Sequence, residues 1–68
     1  LENKQLAQRI RAFRKLKGLT QQELAERTGI SLAVLGAIER GNRRAEEQML
    51  AQIADVLEIS LQELKERS

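Results

Sequence analysis

Apolar residues recur along this chain three and four positions apart rather than in the alternation of a strand. Leu6, Ile10, Phe13 and Leu16/Lys17 trace one helical stripe. Leu24 with Ala25, then Leu35 with Ile38, then Met49/Leu50, Ile53/Ala54 and Leu57 continue the pattern in shorter stretches. Between them stand good helix formers (Leu, Ala, Glu, Gln, Lys, Arg) without runs of β-branched residues, so the pattern predicts an all-α chain.

The breaks sharpen this. A first helix from about Glu2 to Lys17 should stop at Gly18, which is free to take the left-handed conformation. Thr20-Gln21-Gln22-Glu23 has the form of a capping box, with the hydroxyl accepting from the Glu23 amide and the carboxylate reaching back to the Thr20 amide. It opens a second helix, about Gln21 to Thr28, that packs Leu24 and Ala25 inward and ends at Gly29. Ser31 caps a third, about Leu32 to Arg40, stopping at Gly41. A fourth runs from about Glu46 to Leu57, and a second box, Ser60 to Glu63, opens a fifth from about Leu61 to Glu66. Two helices joined by a three-residue turn containing Gly form a helix-turn-helix. The expected architecture is one compact five-helix domain over residues 1–68, with the small Ala25 letting the third helix approach the second.

Composition narrows the function. Without Cys or His, disulfides and the common metal sites fall away, and no metal or cofactor is expected. The longest apolar run, Leu32 to Ile38, is far too short for a membrane span, and the polar start has no signal-peptide core, so a cytoplasmic location is expected. Glu46/Glu47 and Glu63/Glu66 read as solvated helix ends rather than acid–base pairs, and no phosphate-binding glycine loop is present; no catalysis is expected. The net charge of +2 conceals an asymmetry: residues 1–44 carry ten Lys/Arg against four acids, residues 45–68 two against six. One part suits a polyanion and the other does not, although Arg9, Arg11 and Lys15 also suit an ordinary solvated helix face.

With these elements in place, "RIRAFRKLKGLTQQELAERTGIS", "IERG" and "IADVLEISLQELK" together resemble the lambda-repressor-like helix-turn-helix domains of phage repressor and Cro type, over roughly Leu6 to Lys65. The resemblance implies a regulator of transcription that binds duplex DNA as a homodimer on an inverted-repeat operator. Gln21 and Gln22 at the start of the second helix, and Asn42, Arg43 and Arg44 after the third, fall where similar domains hold phosphates. Ser31, Leu32, Ala33, Gly36 and Ala37 fall on the groove-facing side of the third helix. Arg14 and Glu39 match a largely buried salt bridge between the first and third helices, a structural pair.

The chain departs from the family on that groove-facing side, where Leu32, Ala33, Gly36 and Ala37 replace residues that are usually polar. None can hydrogen-bond a base edge. Leu35 and Ile38 should face the core with Val34 at its rim, leaving these four outside. Three explanations follow. The helix enters the major groove and touches thymine methyls, with shape adding specificity; the apolar surface docks a protein, as in an antirepressor or adaptor; or a further domain covers it. The basic first part favours DNA. A second departure is the weak cap at Ala45-Glu46-Glu47, which forfeits about 1 kcal/mol; the two acids offset part of this at the positive end of the helix dipole but oppose phosphate beside the loop.

Overall fold

The computed structural model describes residues 2–65, with side chains from residue 4 onward. Five helices occupy them: α1 (Glu2–Leu16), α2 (Gln21–Thr28), α3 (Leu32–Glu39), α4 (Glu47–Leu57) and α5 (Leu61–Lys65), with no strand among the described residues. The expected continuation of the fifth helix to Glu66 lies outside them.

The helices end where backbone chemistry stops them. After α1, the Leu19 amide donates to the Arg14 carbonyl (3.1 Å) and the Gly18 amide to Lys15 (3.0 Å), a Schellman turn that needs the positive φ of Gly18. The same pair of bonds closes α3 at Gly41. It also closes α4, but there the left-handed residue is Glu58 (φ 62°), at a cost of roughly 1–2 kcal/mol for an L-residue. Its carboxylate accepts from Lys17 Nζ at 2.8 Å, tying the two turns together.

Every helix contributes to one core. Ile10, Leu24, Leu35, Ile53, Leu57 and Leu64 are fully buried, with Phe13, Val34 and Met49 half-buried around them. The α1 stripe differs from expectation at its end. Leu6, Ile10 and Phe13 are buried or pack against the core as expected, with Ala7 and Arg14 buried beside them, but Leu16 is 80% exposed. Two residues beyond Arg14, Leu16 is turned about 200° around the helix from the core. Leu19, carried back by the Schellman turn, packs against the core instead.

At the other caps, the α4 N-cap is Glu46, one residue later than the weak site expected, and its side chain makes no capping bond. The Ser60 hydroxyl accepts from the Glu63 amide at 2.9 Å, but the return arm of that second box is absent among the described residues. Arg9 closes this end differently, donating to the carbonyls of Glu63 (2.6 Å) and Leu64 (2.8 Å) while its guanidinium lies 5.6 Å from the Phe13 ring centre. Arg9 therefore joins α1 to α5 rather than solvating a helix face.

Candidate nucleic-acid interface

Local chemistry sets the angle between α2 and α3. Both arms of the Thr20 capping box form: the Glu23 amide donates to Thr20 Oγ1 (3.0 Å) and the Thr20 amide to Glu23 Oε1 (2.8 Å). The Thr20 backbone N–H, then its hydroxyl, hold the Glu23 carboxyl below its ordinary value, assisted by Arg27. At the turn Gly29 takes φ 80°. The buried Thr28 hydroxyl donates to the Leu24 and Ala25 carbonyls (2.8 and 3.1 Å) and accepts from the Ile30 amide (3.3 Å), so it stitches the turn from inside. Ser31 then starts α3, its Oγ accepting from the Val34 amide at 3.1 Å.

Behind this motif lies a buried charge network. Arg14 donates from Nε to Glu39 Oε2 (2.8 Å) and from Nη2 to Oε1 (3.0 Å), with the side chains 11% and 1% exposed. Its Nη1 donates to the Leu19 carbonyl at 2.9 Å. Gln21 Nε2 adds a third donor to the carboxylate, 3.1 Å from Oε1. An ionised carboxylate only accepts, so the Gln21 amide nitrogen faces Glu39 and its Oε1 faces away. Three helices thus meet at one carboxylate, and no buried side-chain polar atom among the described residues lacks a partner.

The outer face of α3 differs from expectation at its centre. Ser31, Leu32 (46% exposed) and Ala33 lie outside and Ala37 is half-buried, as the helical spacing requires. Gly36, expected outside with them, is buried. Two side chains cover it: a Cβ built there would stand 3.1 Å from Arg40 Nη1 and 3.5 Å from Gln21 Oε1. Arg40, the C-cap of α3, lies back along its own helix, as the tilt of every helical Cα–Cβ bond toward the N-terminus favours. The sequence reading missed this residue. The signal available was its spacing of four from the one side-chain-free position in the helix.

Because Gln21 touches Glu39 and reaches the space beside Gly36, the start of α2 lies against the second half of α3, next to Arg40. Gln22, Arg40, Asn42, Arg43 and Arg44 are all exposed and Gln21 is half-buried; Gln22 lies near Leu32 at the entry of α3, and Arg44 near Leu6, Glu47 and Lys65. Lys4, a second residue missed, is also exposed and packs over Gly41: a Cβ at Gly41 would meet Lys4 Cγ at 3.0 Å and its Cα at 3.4 Å. Of the chain's other cations, Arg11, Lys15 and Arg27 are also exposed. Arg9, Arg14 and Lys17 are taken up by protein acceptors. Lys65 pairs with Glu47 at 3.1 Å, which also draws that carboxylate's charge away from the loop. No cluster of possible metal ligands, and no helix long and apolar enough to cross a membrane, occurs among the described residues.

Comparison with known proteins agrees with this geometry. A family model described as helix-turn-helix matches residues 10–64. The chain is 57% identical over 56 residues to the uncharacterized HTH-type transcriptional regulator YazB of Bacillus subtilis (strain 168), covering 82% of this chain and 81% of that protein. Among solved structures, the clp gene regulator ClgR from Corynebacterium glutamicum superposes with a TM-score of 0.90 at 33% identity, over 94% of this chain and 68% of the other. The restriction-modification controller protein C.AhdI from Aeromonas hydrophila gives 0.88 at 34% identity, over 91% and 94%.

Proposed function

This chain belongs to the helix-turn-helix family, of lambda-repressor type, and on that premise we propose that it binds duplex DNA sequence-specifically with α3 in the major groove. One observation carries the reading. Arg43 and Arg44 stand exposed in the segment after α3, beyond Arg40 at its C-cap, whereas Arg9, Arg14 and Lys17 serve the fold. Arg43 and Arg44, with the N-terminal amides of α2, suit the phosphates that flank a groove. Leu32 and Ala33 at the entry of α3 suit thymine methyls.

The chain acts as a dimer on two half-sites about one helical turn apart, an arrangement fitted to this motif. The acidic side contributed by α4 and α5 then stands away from DNA, and occupancy of a promoter represses transcription. The names of similar proteins, an HTH-type transcriptional regulator and a clp gene regulator, support a role in regulation. Arg43→Ala tests the phosphate assignment. Binding should weaken on all sequences alike, and the slope of log K against log salt should fall by about one. A loss confined to particular base pairs would move Arg43 from the backbone to the bases.

The exposure of Leu32 favours a second reading, a protein docked on the outer face of α3. One large apolar side chain with two alanines makes a patch well below the few hundred Å² that usually marks such a site. Selection from randomised duplexes at about 50 mM salt, where phosphate contacts are strong, separates the two. An enriched inverted repeat supports DNA recognition, and retention of no duplex supports docking.

A further inference from the structure

The geometry points to Arg40 as the residue that reads sequence for α3, laid across Gly36 and contacting a guanine in the major groove. This rests on the DNA-binding reading above. Beyond the cap Ser31, whose Oγ is engaged by the Val34 amide, the outward residues Leu32, Ala33 and Ala37 have no hydrogen-bonding groups on their side chains, so a groove-bound α3 must borrow them from elsewhere along its length. Arg40 is placed to supply them. Its Nη1 stands 3.1 Å from the point where a Cβ of Gly36 would be, one turn back from its own Cα and over the middle of the helix. Its guanidinium has no acceptor among the described residues, so its donors are free.

Gln21 completes the head. Its amide nitrogen is fixed on Glu39 Oε1, and its Oε1 lies 3.5 Å from the same point over Gly36. A free carbonyl acceptor therefore stands beside a free guanidinium. A guanidinium matches O6 and N7 of guanine, and a neighbouring acceptor matches the N4 amino group of a cytosine. Gly36 makes the arrangement possible. An alanine there would press on Arg40 Nη1 and touch Gln21 Oε1, and a longer side chain would compete with both for the space, which gives a reason for a glycine inside a helix at a φ any residue can adopt. Glu39 is one residue from Arg40, but its charge is already matched by Arg14.

The test compares sites selected from randomised duplexes by the wild-type chain, Arg40→Ala and Gly36→Ala. Each is first checked for an unchanged helical circular-dichroism spectrum; Arg40 is exposed and Gly36 meets only side-chain atoms, so both variants should fold. The wild type should select one fixed G·C pair per half-site. Arg40→Ala should lose preference at that pair by roughly 10- to 100-fold and keep the others. Gly36→Ala, which crowds Arg40, should relax the same pair by less. An unchanged motif with Arg40→Ala would overturn the assignment while leaving DNA binding intact. So would uniform weakening with a salt slope lower by about one, the mark of a phosphate contact. An unchanged motif with Gly36→Ala would overturn the placement through Gly36. Failure of the wild type to retain any duplex would remove the DNA-binding reading itself, and this assignment with it.

Discussion

Helices α2 and α3 are matched in length, eight residues each, and both begin at a hydroxyl cap and bury one face. Their outer faces differ. That of α2 carries Gln22, Glu23, Glu26 and Arg27, all exposed, as a solvated helix should. That of α3 offers Leu32, Ala33 and Ala37, with Gly36 roofed over by Arg40 and Gln21. The inner faces and caps answer to the fold. The outer face of α3 has less such requirement, and its leucine, 46% exposed, packs only in part. Its composition is therefore the part of the motif that reports on what the chain recognises.

The comparison breaks most severely where both helices depend on one group. Glu39→Ala strands the buried Arg14 guanidinium and releases Gln21, so it should cost about 3–5 kcal/mol, measured by urea denaturation. A small domain has little more than that in total, and the variant should be largely unfolded. A loss below about 1 kcal/mol would show that the network does not hold the motif. Within α3, two leucines three residues apart give the next contrast. Leu35→Ala, at a fully buried position, should cost about 2–5 kcal/mol. Leu32→Ala, at one 46% exposed, should stay within about 0.5 kcal/mol yet weaken DNA binding. Equal losses in stability would mean that the outer face is part of the core after all.

The caps should yield smaller and graded effects. Ser31→Ala and Thr20→Ala should each destabilise by about 1 kcal/mol, since each loses one capping hydroxyl while the Glu23 arm, which accepts from the Thr20 backbone amide, survives in Thr20→Ala. Glu46→Ser runs the other way. It installs the hydroxyl that α4 lacks and should stabilise by about 0.5 kcal/mol, the cap gained less the dipole interaction of the lost carboxylate. Thermal melting should therefore place Thr20→Ala and Ser31→Ala below the wild type and Glu46→Ser above it.

What could be read in advance followed the range of each interaction. The Thr20 box, the Ser31 cap and the glycine stops involve residues within four positions of one another, so they stand in the sequence directly. Arg14 and Glu39 are 25 residues apart, and only the resemblance paired them. The stripe of α1 was misread at Leu16 because Arg14, an ion, holds an inward position that apolar periodicity assigns to a leucine. Gly36 was misplaced for a related reason. A glycine has no side chain to reveal which way it faces, and its cover comes from Arg40 one turn on and from Gln21 on another helix. Glu58 carries no sequence signal for its left-handed turn, which glycine usually fills.

The smallest effect separates the two helix starts by pH. The Glu23 carboxyl is held below its ordinary value of 4.5 by the Thr20 backbone amide first and the Thr20 hydroxyl second. A carboxyl depressed in the folded state stabilises it fully above the unfolded value, and that contribution fades as pH falls below 4.5 and through the folded value. The cap of α3 is a serine hydroxyl that does not titrate. Acidification from pH 6 to 3 should therefore perturb the Thr20 amide resonance, with a midpoint below 4.5, while the Val34 amide bonded to Ser31 shows no matching step. Glu23→Gln keeps an acceptor in the box and should abolish the step. A Thr20 midpoint at or above 4.5 would mean that the return arm exerts no hold on the carboxylate in solution, and the two caps would then differ in sequence alone.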